Sequence, residues 1–128
     1  MLSSSPAFGG FSTNDLYASE NFYSEVLGLK VEITEMGILL VFTHGNQPII
    51  IYPKENHEPA TFTVLNFPVD SIEQVVDELI AKGVVFEQYQ DPIQTDNKGI
   101  HRSDLPNAPH IAWFRDPAGN ILSVMEKK

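Results

Sequence analysis

The sequence predicts an α+β protein built from two βαβββ modules. Two stretches carry apolar residues at the spacing of one helical face, and each of them ends at a glycine. Short β-prone runs, separated by turn residues, lie before and after each stretch. Because this order of elements occurs twice, we expect one module over about residues 7–53 and another over about 60–126, within a single domain of residues 1–128.

The first module begins with a predicted strand at residues 7–13, followed by Asn14 and Asp15, which are good helix N-caps. The predicted helix ends at Gly28, a residue suited to the left-handed conformation found after many helices. Its apolar face is formed by Phe22, Tyr23, Val26 and Leu27. Hairpin-length turns at 35–37 and 44–47 then predict three strands, at residues 29–34, 38–43 and 48–52.

The second module repeats this plan. A strand is predicted at residues 60–69, and residues 70–73 have the spacing of a capping box. The helix that follows ends at Gly83, and its apolar face is formed by Ile72, Val75, Val76, Leu79 and Ile80. The tight turn at residues 116–119 separates the last two of three further predicted strands, at 84–89, 109–115 and 120–125.

One long stretch, residues 91–108, has no regular pattern and is rich in Pro, Asp, Asn and Ser. Long loops in compact domains usually serve function, so we interpret it as a candidate lid. It contains His101, which we expect either to orient a ligand or to be a plain surface residue. The other three histidines, at positions 44, 57 and 110, are expected to have structural or solvated roles.

The charge and composition exclude several classes of function. Seventeen acidic residues against eight basic ones give a formal net charge of −9, which repels nucleic acid and anionic membrane surfaces. The same charge favours a cationic small molecule over an anionic one. The chain has no cysteine, which excludes disulfides and thiolate sites. With no signal peptide or membrane span evident, the expected location is the cytoplasm.

Two motifs together resemble the vicinal oxygen chelate superfamily, which includes the glyoxalases, bleomycin resistance proteins and extradiol dioxygenases. Residues 15–31 (DLYASENFYSEVLGLKV) resemble its first helix, with an aromatic pair and a Leu-Gly turn into a strand. Residues 114–124 (FRDPAGNILSV) resemble its closing hairpin. The resemblance implies a curved, mostly antiparallel sheet around a cavity, and a homodimer.

The resemblance also implies where a metal would be held, since metal-dependent members carry His and Glu ligands on inward-facing strands. Carried over by counting from the matched motifs, those positions fall on Phe8, near Ile51 with Tyr52 beside it, near Val64, and on Ser123. Apolar side chains and a hydroxyl cannot replace nitrogen and carboxylate ligands. We therefore expect no metal and no other cofactor, as in the drug-sequestering members.

The predicted function is metal-independent binding of a small organic ligand, cationic or aromatic, by an aromatic-lined cavity. Trp113, the only tryptophan, is predicted to share a strand face with Ile111 and Arg115, either as core or as cavity wall. The expected ligand-binding residues are Phe8, Tyr52, Phe62, His101, Trp113 and Ser123. Two alternatives remain: a glyoxalase- or dioxygenase-type enzyme with a divalent metal ion held by unmapped residues such as His101 and His110, and a dimeric regulatory or interaction module.

Overall fold

The computed structural model describes residues 1–45, 47–90 and 92–126. The chain forms two compact units, the first covering Met1–Pro59 and the second beginning at Ala60. Each unit contains a four-stranded mixed sheet, as the two predicted modules require. Asn46 in the predicted turn at 44–47, and Asp91 at the start of the predicted lid, lie outside the described residues. Across these described ranges, no helix combines the length and the apolar character needed to cross a membrane.

In the first unit, the strand order is β1-β4-β3-β2, with β1 parallel to β4 and the other pairs antiparallel. Asp15 caps the helix as predicted, because its carboxylate accepts the N–H of Ala18 at 3.1 Å. The elements are β1 (Gly10–Thr13), α1 (Leu16–Asn21), a π-helical turn (Phe22–Val26), β2 (Lys30–Ile33), β3 (Leu39–Phe42) and β4 (Ile49–Pro53).

The π-helical turn corrects the prediction of a regular α-helix up to Leu27. The N–H of Leu27 bonds to the carbonyl of Phe22, five residues earlier, at 3.0 Å. The hydroxyl of Ser24 donates to the carbonyl of Glu20 at 2.6 Å, so a side chain takes an acceptor that a regular helix would offer to the backbone. Within the wider turn, Tyr23 is fully buried.

One face of the first sheet is apolar and buried. Phe11, Leu39 and Ile51 are in register with one another across β1, β3 and β4, and the ring of Phe11 lies 6.4 Å from that of Tyr23. Because strand residues alternate between faces, Tyr52 lies on the opposite face. Of the two neighbouring positions that the family resemblance suggested, Ile51 is therefore core and Tyr52 is outward.

In the second unit, the strand order is β5-β8-β7-β6, with β5 parallel to β8 and the other pairs antiparallel. Ser71 caps its helix, accepting the N–H of Gln74 at 3.4 Å. The buried side of that helix carries Ile72, Val76 and Leu79, whereas Ile80 is exposed. The elements are β5 (Thr63–Val69), α2 (Ile72–Ala81), β6 (Ile100–His101), β7 (His110–Arg115) and β8 (Ile121–Glu126).

The prediction of a strand at residues 84–89 is wrong. Only Phe86 forms a bridge, to Phe114, and the N–H of Glu87 bonds to the carbonyl of Trp113. The chain then turns away, because both the hydroxyl and the N–H of Thr95 bond to the backbone of Tyr89. The strand that continues along β7 is β6, which lies inside the stretch 91–108 that was predicted to be irregular.

Gly99 allows β6 to return to β7. It has a φ of +88°, and a Cβ atom at this position would lie 2.6 Å from the Cβ of Phe86. Asp96 fixes the same turn, because its carboxylate accepts the N–H groups of Lys98 and Ile100 at 2.9 and 3.0 Å. The glycine and the carboxylate together bring the chain back beside β7.

The tight turn before β8 is confirmed. Asp116 is 5% exposed, and one carboxylate oxygen accepts the N–H groups of Ala118 and Asn120 at 2.9 Å each. The other oxygen accepts the side-chain amide of Asn120 at 3.1 Å. This buried network fixes where β8 begins.

Replacing Gly99 by alanine should lower the free energy of unfolding by about 2 kcal/mol or more, because the new methyl group meets Phe86 in a backbone conformation unfavourable for side chains. Urea denaturation measures the change. Gly45→Ala is the matched control, since its Cβ would meet only the Thr43 hydroxyl, at 3.6 Å. Equal stability of the two variants would contradict the role of Gly99.

Candidate functional site

The face of the second sheet that points away from α2 carries the candidate site. Leu122 and Val124 of β8 are buried on the helix side, so Ser123 between them points to the other side. Ser123 is in register with Asn66 on β5 and with Trp113 on β7. These three residues form a row across the sheet, and we call this surface the Trp113 face.

A hydrogen bond with a fixed direction joins two members of the row. The hydroxyl of Ser123, which is fully buried, donates to the Oδ1 atom of Asn66 at 2.5 Å. Because the oxygen of the Asn66 amide is turned to Ser123, its nitrogen presents N–H donors on the exposed part of the side chain. The pair therefore offers a neutral amide donor.

Two rings flank the half-buried Trp113. The centroid of Tyr89 lies 5.6 Å from that of Trp113 in an edge-to-face arrangement, and the centroid of His101 lies at 6.5 Å. Burial raises the pKa of Tyr89, and the carboxylate of Glu87 raises it further, so the phenol is neutral at physiological pH. The cluster is thus an uncharged aromatic surface when His101 is neutral.

The tautomer of His101 follows from its partner. Its Nδ1 atom lies 2.8 Å from the carbonyl oxygen of Gln94, and since a carbonyl only accepts, Nδ1 carries the hydrogen. In the neutral imidazole, Nε2 is then an acceptor. His110 differs, because its Nδ1 accepts the backbone N–H of Ser103 at 3.3 Å.

Ion pairs attach the segment around β6 to α2. Lys98 contacts Glu73 at 3.2 Å and Asp77 at 2.8 Å, and Arg102 pairs with both Glu73 and Asp96. The hydrogen bond from Lys98, followed by that from Arg102, lowers the pKa of Glu73. These cations border β6, the strand that carries His101.

The predicted site residues of the first unit do not belong to the Trp113 face. Phe8 is 59% exposed, precedes β1, and lines an open depression of about 510 Å³ with residues that include Pro6 and Pro48. Tyr52 is 42% exposed and in register with Ser12, whose hydroxyl lies 2.6 Å from Nδ1 of His57. His57, expected to be solvated, is therefore hydrogen-bonded to a strand.

Of the six predicted residues, the structure brings His101, Trp113 and Ser123 together on one face. Phe62 precedes β5 and is 67% exposed. Sequence reasoning missed Asn66 and Tyr89. A polar residue inside the apolar strand 63–69 was the available signal for Asn66, whereas Tyr89 was assigned to a strand that does not form.

The donors at the mapped positions do not fit a divalent metal ion. In the second unit the mapped positions supply a hydroxyl at Ser123 and an apolar side chain at Val64, and in the first unit they supply a phenol at Tyr52, beside the apolar Ile51, and a phenyl ring at Phe8. Zinc-type ions take imidazole, thiolate or carboxylate ligands at about 2.0–2.3 Å. Within the described part of the chain, no three His, Asp or Glu side chains are grouped so as to hold a metal.

Comparison with known families gave one match. A family model described as the Glyoxalase/Bleomycin resistance protein/Dioxygenase superfamily matches residues 10–124. No curated protein matches the sequence significantly. The matched range includes every strand and helix of both units up to Val124.

Solved structures of proteins with different named activities share the fold. A lactoylglutathione lyase from Agrobacterium tumefaciens is 23% identical, with 97% of this chain and 95% of that chain covered and a TM-score of 0.68. A fosfomycin resistance protein from Listeria monocytogenes is 13% identical, with 98% and 94% covered and a TM-score of 0.71. An antibiotic binding protein from Streptomyces is 18% identical, with 98% of both chains covered and a TM-score of 0.66. At these identities the likeness is one of fold.

The Lys98→Met variant should move the pKa of Glu73 up towards its ordinary value of 4.5, because the hydrogen bond that lowers it most is removed. A carboxyl whose pKa is lower in the folded protein stabilises the fold above its unfolded pKa. That contribution is lost as the pH falls below about 4.5 through the folded value.

Carbon-detected NMR titration of the Glu73 carboxyl measures this shift. Lys54→Met, in the first unit, makes the same change in net charge and serves as the control. If the two variants titrate alike at Glu73, the local ion pair is not the cause.

Proposed function

Because the chain belongs to the glyoxalase/bleomycin resistance protein/dioxygenase superfamily, we propose that it is a metal-independent binding protein for a small planar aromatic molecule. The observation that carries the proposal is the Trp113 face, where three rings lie beside a neutral hydroxyl–amide pair. Ser123 occupies the position where the resemblance places a metal-binding glutamate. The face therefore favours stacking and hydrogen bonding over bond cleavage.

Stacking is the main source of affinity in this proposal. Trp113 and its neighbours are half-buried, so a flat ligand laid against them removes apolar surface from water on both partners. An aromatic contact adds roughly 0.5–1.5 kcal/mol beyond the area it buries. The antibiotic binding protein with the same fold is consistent with sequestration, although the likeness to that protein extends only to the fold.

The net charge of the protein determines which charge on the ligand is favoured. A formal charge of −9 creates a potential that attracts cations and repels anions. Near the rings, Arg115 is paired with Glu87 and bonded to the carbonyl of Gly119, so its charge is compensated locally. Neutral or cationic aromatic molecules are therefore proposed. The homodimer and the cytoplasmic location stay predictions.

The first test compares two flat bicyclic probes of opposite charge, 1-methylquinolinium and 2-naphthalenesulfonate, by isothermal titration calorimetry. The cation should bind more tightly, and the difference should shrink as salt is raised, since screening weakens long-range attraction. Quenching of Trp113 fluorescence reports contact with the face directly, as it is the only tryptophan. Tighter binding of the anion would contradict the charge argument.

A second test asks whether Trp113 is the stacking surface. Trp113→Leu should weaken 1-methylquinolinium binding about 10-fold, which corresponds to loss of the aromatic contact and part of the buried area. Tyr17→Leu removes a more exposed aromatic from the first unit and is the control, because Tyr17 is 71% exposed on α1. Equal affinities of the two variants would place the ligand elsewhere.

A third test concerns the metal. Protein purified without chelator should contain no stoichiometric divalent ion by elemental analysis, and treatment with chelator should leave the affinity for 1-methylquinolinium unchanged, because the mapped donors do not suit such an ion. A bound ion whose removal abolishes ligand binding would overturn the proposal in favour of a metal-dependent member.

A further inference from the structure

We propose that the ligand is a planar bicyclic or larger heteroaromatic molecule that carries a carbonyl on one edge and an N–H or O–H donor on the opposite edge. This inference rests on the proposed function and specifies which edge of the same site donates a hydrogen bond and which edge accepts one. Two side chains carry it: Asn66 on β5 and His101 on β6, the outer strands of the second sheet.

Asn66 supplies a donor and not an acceptor. Its amide could present either atom, but the hydroxyl of Ser123 donates to Oδ1, and Ser123 is held by its register between β5 and β7. The nitrogen is then the atom left to face a ligand. An amide N–H recognises a carbonyl oxygen, so this edge of the site selects an acceptor.

His101 supplies an acceptor and not a donor. Its Nδ1 hydrogen is committed to the carbonyl of Gln94, which leaves the lone pair of Nε2 for a ligand when the imidazole is neutral. Asp96 and the ion pairs of Lys98 and Arg102 to α2 hold the backbone around this residue, and the hydrogen bond to Gln94 orients its ring. This edge therefore selects a donor.

The spacing of the strands sets the size of the ligand. Three inter-strand distances of about 4.8 Å separate β5 from β6, which puts the two backbones roughly 14 Å apart. Two hydrogen bonds of about 3 Å and a ring system between them fit this span. His101 is in register with Ile111, two residues before Trp113 on β7, and its ring lies 6.5 Å from the indole. Trp113 is in register with Ser123, which is in register with Asn66, so a flat ring bound at both edges would lie diagonally across the sheet, against the indole.

Four probes separate the two edges: 4-quinolone has a carbonyl and an opposite N–H, 1-methyl-4-quinolone has only the carbonyl, indole has only the N–H, and naphthalene has neither. By isothermal titration calorimetry, 4-quinolone should bind most tightly. Each singly deleted probe should lose about 5- to 10-fold in affinity, the usual effect of one neutral hydrogen bond.

Two variants assign the edges to residues. Asn66→Asp keeps the oxygen that accepts from Ser123 and removes the N–H donor. The two probes 4-quinolone and indole should therefore bind this variant with about equal affinity. His101→Asn keeps a donor towards Gln94 and removes Nε2. The higher affinity of 4-quinolone over 1-methyl-4-quinolone should therefore disappear in this variant. His44→Asn, at an exposed turn of the first unit, is the control and should leave both ratios unchanged.

The outcomes distinguish the two proposals. If all four probes quench Trp113 and bind equally, the aromatic binding function stands and the inferred polarity is wrong. If the affinity ratios between the probes do not change in Asn66→Asp or His101→Asn, these residues do not form hydrogen bonds to the ligand. If no probe binds and 1-methylquinolinium also fails, the proposed function itself is wrong.

Discussion

The position of β8 between a parallel and an antiparallel neighbour is the constraint on which the site depends. Leu122 and Val124 must be buried on the side of α2, and a shift of one residue would turn both of them outward. With that register, Ser123 falls opposite Asn66 on one side and Trp113 on the other. The apolar core therefore fixes the polar row, and the buried Asp116 network before β8 fixes where the register starts.

The sequence predicted what local signals determine. Asp15 and Ser71 cap their helices, and the turn at Asp116 forms, because each depends on residues within four positions of itself. The alternation along β7 also held, with Ala112 and Phe114 buried and Trp113 on the other face. These features need no knowledge of distant partners, which is why a single sequence was sufficient for them.

Long-range pairing accounts for what was missed. Residues 84–89 have the composition of a strand, but only Phe86 bridges to β7, and β6 pairs with the rest of that edge. The boundary between the two lies where Gly99 approaches Phe86 closely. A bulge between Thr63 and Leu65 interrupts the pairing of β5 with β8 at Val64, the position reached by counting from the family motif. Asn66 is the residue in register with Ser123, and only the pairing with β8 shows this.

The same row supports the proposed binding function over catalysis. General acid–base or metal chemistry needs a group that changes charge or a Lewis acid beside the reacting atoms. Here Ser123 donates to Asn66, and burial raises the pKa of Tyr89 above its ordinary value, so the phenol stays protonated at physiological pH. The Nδ1 atom of His101 is held by the backbone carbonyl of Gln94. In the proposed function, these fixed dipoles and rings would select a ligand by its shape and by the positions of its hydrogen-bond donors and acceptors.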